Sequence, residues 1–152
     1  MAERIAIASD HAAVQMKAEL VAHLEELGHE VLDLGPSGFD SVDYPDYGYR
    51  LAEAVGSGDA DRGIALCGSG IGISIAVNRH PACRCALVSE PLSARLAREH
   101  NDANVLAMGS RLIGIEMAKC CIDVFLVASY GAGRHQRRVE KLSNPRLAKE
   151  PA

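Results

Sequence analysis

Cys67 ends a short apolar run, Gly63 to Cys67 (GIALC), and is followed by glycines at 68, 70 and 72, with Ser69, Ile71 and Ser74 in the same stretch. Glycine lets a chain turn tightly and approach a ligand with its backbone. The N–H groups that open the next helix then point at bound negative charge. The segment reads as an anion cradle, and a thiol one residue ahead of it lies where a helix dipole favours thiolate over thiol. Ile73 stands where a dinucleotide-binding GxGxxG would need glycine, and no Lys precedes a Ser or Thr as a phosphate-loop NTPase would require. A turn that needs glycine for its geometry alone is the competing reading of these residues.

Three further groups could act on the same anion. Asp10-His11 sets a carboxylate and an imidazole side by side, able to orient a sugar hydroxyl and contact a phosphate. His100-Asn101-Asp102 ends a helical stretch with a histidine in its last turn, where it either caps the helix or transfers protons near a ligand. Arg134 and Arg138 are four residues apart, so on a helix they share a face and could clamp one phosphate, with His135 and Arg137 turned elsewhere. His23, His29 and His80 flank surface elements and receive no role. Cys83, Cys85, Cys120 and Cys121 read as small buried hydrophobes.

The elements that must position these residues follow from periodicity. Arg4 to Ser9 is a strand, and a helix carrying Val14, Leu20, Val21, Leu24 and Leu27 follows. Lys17, Glu25 and Glu26 fall on its polar side, and Gly28 stands at its C-terminal cap. His29 to Leu34 alternates as a strand, Pro45 opens a helix to about Val55, and Gly63 to Cys67 is a buried strand. A helix over Ser74 to Arg79, strands at Cys85–Val88 and Asn104–Met108, and helices at Pro91–His100 and Ile113–Ala128 complete the alternation. A basic helix over Arg134 to Leu142 closes it. Strands separated by helical crossovers must pair in parallel, which predicts a three-layer, doubly wound, Rossmann-like α/β sheet of about five strands with helices on both faces. In such sheets ligands bind beyond the carboxyl ends of the strands, so the loops at Asp10-His11, Cys67–Gly72 and Met108–Arg111 should converge.

At 152 residues, 48% of them hydrophobic, the chain suffices for one domain with a proper core. That domain is expected over 1–142, with 143–152 as a tail that is mobile or packed on a partner subunit. Five cysteines without CxxC spacing suggest neither a disulfide framework nor a zinc site. No stretch reaches the roughly 18 apolar residues of a membrane span and the N-terminus is unlike a signal peptide, so no membrane partner and a cytoplasmic location are expected. Residues 1–133 carry 10 basic and 18 acidic side chains and residues 134–152 carry 6 and 2, so the basic end wants an anion. With four Tyr, two Phe and no Trp there is little surface on which bases could stack, which disfavours nucleic acid.

Taken together, SDHAA at 9–13, DYPDY at 43–47, CGSGIGISIAVNR at 67–79, AREHNDANVLAMGSR at 97–111 and GRHQRRVEKL at 133–142 resemble the type B ribose-5-phosphate isomerases. Five motifs in family order span nearly the whole chain. The wider family includes isomerases of galactose 6-phosphate, allose 6-phosphate and four-carbon sugar phosphates, so a small sugar phosphate is the implied partner. The resemblance implies aldose–ketose isomerisation through a cis-enediolate, with no metal and no cofactor. Cys67 matches the catalytic base, and Ser69 matches a position usually Thr, whose hydroxyl moves protons between the two oxygens. The amides around Gly68, Gly70, Ile71, Gly72 and Ser74 match the anion hole. His100 matches the residue that opens the furanose ring, with Asp10 as its partner, while Asn101 and Tyr44 match sugar contacts. His11, Arg111, Arg134 and Arg138 match the phosphate-binding set. The family's cleft is shared by two subunits, which makes a homodimer the minimum assembly, with a tetramer as the larger one. Ala13 departs from the family's more usual Gly, which bears on the choice of sugar. The same fold with a glycine loop could instead serve a non-catalytic sugar-phosphate sensor.

Overall fold

The computed structural model describes residues 1–146 and contains a single sheet in which five parallel strands stand in the order β2-β1-β3-β5-β4. The strands are β1 (Arg4–Ser9), β2 (Glu30–Asp33), β3 (Arg62–Cys67), β4 (Cys85–Leu87) and β5 (Val105–Gly109). Between and after them run α1 (Val14–Glu26), α2 (Tyr44–Ser57), α3 (Ile71–Val77), α4 (Pro91–Asn101), α5 (Ile115–Val127) and α6 (Gln136–Ser143). The expected α/β class, strand number and C-terminal helix are all present. The expected tail lies outside the described residues from 147 onward.

Side chains alternate across the strands, as parallel pairing with both faces covered requires. Ile5, Ile7, Ile64, Leu66, Leu106 and Met108 enter a core with Leu20 and Leu24 of α1, Ala94 and Ala97 of α4, and Ile122 and Phe125 of α5. Their neighbours Ala6, Ala8, Ala65, Ala107 and Cys67 face α2 and α3. The second face is built of small residues, so α2 lies close to the sheet: a Cβ added to Gly63 would meet Leu51 Cδ2 at 2.8 Å. Large residues on one face and small ones on the other thus fix how near each helix layer can approach.

Two local expectations are corrected. α3 begins at Ile71, three residues before the Ser74 expected from periodicity, because left-handed Gly70 (φ +75°) already serves as its N-cap. Lys17 does not lie on the solvent side of α1. It is 3% exposed, with Nζ 2.7 Å from both oxygens of Asp33. The long stem is buried and the charge is neutralised at the end of β2, where Asp33 Oδ1 also accepts the Gly35 N–H at 2.9 Å. The pair therefore anchors the start of the 35–43 loop. No helix among the described residues is long and apolar enough to cross a membrane.

Candidate functional site

β1 and β3 are neighbours whose following helices pack on opposite faces of the sheet, and their carboxyl ends open the crevice typical of doubly wound folds. The three expected loops converge there. The Asp10 N–H donates to the Leu66 carbonyl at 3.1 Å, and the Ser110 and Arg111 amides donate to the Cys67 and Gly68 carbonyls at 2.9 and 3.0 Å. Ser110 Oγ reaches back to the Ala12 carbonyl at 3.1 Å, closing the ring of loops.

Cys67 is 4% exposed at the floor of this crevice, and its Sγ accepts the Gly70 N–H at 3.1 Å. Cys83 and Cys121 are ordinary buried thiols, each pushed up to about 11 by desolvation, and burial raises Cys85 as well. Cys120, expected inside, is exposed on α5.

Gly70 must be glycine on two counts. Its φ is left-handed, and a Cβ would sit 2.7 Å from the Met108 carbonyl carbon. The loop above it is half-covered by side chains. The Tyr44 ring lies over Gly72, where an added Cβ would meet Cε2 and Cζ at 2.5 Å, and the Arg111 guanidinium lies over Gly68, with Nη1 3.2 Å from such a Cβ. Ser69 Oγ accepts the Ile71 N–H at 3.2 Å, and the Ser74 N–H is spent on the Gly70 carbonyl at 3.2 Å. Ser74 therefore offers a hydroxyl, bonded to the Ile71 carbonyl at 2.7 Å, in place of the free amide expected of it.

Asp10 is almost buried, with Oδ1 accepting the Ala12 N–H at 2.9 Å. His11 Nδ1 accepts the Val42 N–H at 3.1 Å. That bond requires an unprotonated Nδ1, so the neutral ring carries its proton on Nε2 and presents a donor. Nothing in the sequence signals this contact, because 31 residues separate its partners.

His100, Asn101, Arg134 and Arg138 are not in this crevice. α4 runs back against the strands, so His100 and Asn101 end it at the amino side of β5, whereas Cys67 stands at the carboxyl side of β3. A five-residue strand spans roughly 16 Å, and among the described residues no loop carries His100 across it. Asp102, ion-paired to Arg84 at 3.1 Å and Arg98 at 2.9 Å, fixes the end of α4. His100 lines a cavity of about 390 Å³ with Glu99, Arg134, His135 and the Gly131–Gly133 turn.

His135, expected to point elsewhere, stacks on His100 with ring centroids 4.3 Å apart and planes within 17°. A single helix over 134–142 would have turned it away. The segment instead opens with a 3₁₀ turn, Gly133–His135, after Ala132 in the left-handed region (φ +44°), and this changes the angular phase of its first residues. Arg138 still follows Arg134 at helical spacing, its Nη1 donating to the Arg134 carbonyl at 3.3 Å. One chain thus holds two separate clusters: a thiol under a glycine loop, and an imidazole pair beside two arginines.

The chain matches the family described as Ribose/Galactose Isomerase over residues 5–142. It is 49% identical over 141 residues to ribose-5-phosphate isomerase B of Escherichia coli strain K12, covering 93% of this chain and 95% of that protein. It is 40% identical over 137 residues to the galactose-6-phosphate isomerase subunit LacB of Clostridium acetobutylicum, covering 90% and 79%. The solved ribose-5-phosphate isomerase B of Clostridium thermocellum superposes with a TM-score of 0.91 at 48% identity, over 92% of this chain and 95% of that one. The type B ribose 5-phosphate isomerase of Trypanosoma brucei does so with a TM-score of 0.92 at 40% identity, over 96% and 100%.

Proposed function

The chain belongs to the ribose/galactose isomerase family, and from that premise we propose that it interconverts D-ribose 5-phosphate and D-ribulose 5-phosphate with Cys67 as the base. The observation that carries this reading is the Gly70 N–H donating to Cys67 Sγ beneath the glycine loop. A backbone donor on the sulfur beneath a glycine loop supports the reading, because proton abstraction next to a carbonyl demands a positioned base and donors for the developing oxyanion.

The chemistry then runs in two stages. His100 takes the proton of the anomeric hydroxyl as the bond from C1 to the ring oxygen breaks, and a proton is returned to that oxygen, with Asp10 beside it and Asn101 and Tyr44 holding the hydroxyls. The Cys67 thiolate removes the C2 proton to give a cis-enediolate and returns it to C1. Ser69 moves the hydroxyl proton between O1 and O2. The loop of Gly68, Gly70, Ile71 and Gly72, with the Ser74 hydroxyl beside it, supports the developing negative charge. His11, through Nε2–H, and Arg111 hold the phosphate together with Arg134 and Arg138.

Because the two half-sites lie at opposite ends of the strands, the working cleft is assembled from two copies of the chain. His100, Asn101, Arg134 and Arg138 of one copy face Cys67 of the other. Exposed Ile71, Leu87 and Leu112 support a second copy here, since they leave apolar surface around a cavity of about 240 Å³ that Ser69 also lines. A cytoplasmic homodimer with its isomerase domain over 1–142 is the assembly this implies. The testing experiment supplies D-ribose 5-phosphate in EDTA beside four- to six-carbon aldose phosphates and follows ketose formation. Turnover of the pentose unaffected by the chelator is expected; preference for another sugar moves the specificity, and binding without turnover favours a sensor.

A further inference from the structure

The stacked pair has more order than a capping histidine needs. His135 lies flat on His100 at 4.3 Å, and the segment carrying it is tied to α4 by the Gly131 N–H donating to the Glu99 carbonyl at 2.9 Å. The preceding residue but two, Ala132, keeps a left-handed backbone that non-glycine residues rarely adopt. Strain, a backbone tie and the stack all lie within one cavity wall.

We propose that His135 is a positioning residue for ring opening: its uncharged ring face fixes the plane of His100 and supports the imidazolium that forms when His100 holds the anomeric proton. This rests on the reading of His100 given above. The groups facing His135 are His100 from α4 and Arg134 and Arg138 from its own segment; Glu99 is turned to Arg95 at 3.8 Å. Partial desolvation, then His100 and the two arginines, hold His135 below the ordinary imidazole range, so it remains neutral when its neighbour is charged. A neutral ring face under a cation is a favourable arrangement, whereas two stacked imidazoliums would repel. The proton leaves the anomeric hydroxyl, resides on His100, and goes back to the ring oxygen; His135 exchanges none.

The test separates ring opening from enediolate chemistry. Ribulose 5-phosphate is acyclic, so exchange of its C1 hydrogen in D2O reaches the enediolate without a ring. His135→Ala should lower kcat/KM for ribose 5-phosphate roughly tenfold and leave that exchange at the wild-type rate. His135→Phe should recover most of the loss, whereas His135→Leu, which fills the space without a π face, should not. If the alanine variant fails to fold, the Phe and Leu pair makes the same comparison. A parallel fall in both reactions, or equal rates for Phe and Leu, overturns the proposal. His100→Ala tests the underlying reading: a ring-specific loss there with none in the His135 variants defeats this inference alone, and no ring-specific loss in His100→Ala defeats the reading beneath it.

Discussion

Cys67→Ala is expected to lower kcat on ribose 5-phosphate by a factor on the order of 10³, the loss typical of removing a positioned base. KM should change little, since the proposed mechanism assigns the phosphate to His11 and the arginines and not to sulfur. The fold should survive, because shortening a small buried side chain costs about 1 kcal/mol and the cluster around Cys67 keeps its larger members, Leu51, Val55, Ile73 and Val77. Steady-state kinetics beside circular dichroism make the measurement. Cys67→Ser is the informative control: its hydroxyl can still accept the Gly70 N–H but does not ionise near neutral pH, so it should stay close to the alanine variant. Retention of activity within tenfold by either variant removes Cys67 from the role of base.

The second large effect concerns assembly. Cys67→Ala disables the half-site at the carboxyl ends of the strands, and a chain carrying both His100→Ala and Arg134→Ala disables the one at the end of α4. Each protein alone should be nearly inactive. Co-expressed, they should recover about one quarter of wild-type activity, since half the dimers are mixed and each mixed dimer has one intact site of two. A chain that completed its own site would yield nothing above the two parents. The experiment therefore separates a shared cleft from two unrelated patches, independently of which sugar is turned over.

Much of this was legible in the sequence, for identifiable reasons. The strands and helices followed from alternation and helical spacing, and the crevice followed from parallel pairing. Cys67, the glycine loop, Asp10 and Arg111 fall at strand ends, so the topology that placed the strands also placed them together. Contacts made between elements distant in the chain were not legible. Lys17 looks like a solvent residue on a helical wheel until Asp33 is seen 2.7 Å away, and the Val42 amide that orients His11 belongs to a loop with no periodicity. His135 was hidden by a change of helical type, because a 3₁₀ turn after a left-handed residue shifts the phase on which the reading of one continuous helix depended.

The separation of His100 from Cys67 was legible only in part. α4 must end at the amino side of the sheet in any doubly wound fold, so the sequence already set the histidine opposite the thiol. The shared cleft proposed here rests on surfaces the sequence does not display, since the exposed apolar residues around Ser69 become visible as a patch only once β4, β5 and α3 are assembled.

The most direct test of proton transfer by Cys67 follows the hydrogen itself. Ribose 5-phosphate deuterated at C2 is converted in ordinary water, and the label is read by NMR at C1 of the ribulose 5-phosphate and in the solvent. Label is expected at C1 and, to the extent that a proton on sulfur exchanges with water before it returns to carbon, in the solvent, and Cys67→Ala should form ketose and release label about 10³-fold more slowly. Ketose formed, or label released, at an undiminished rate by Cys67→Ala would contradict the account.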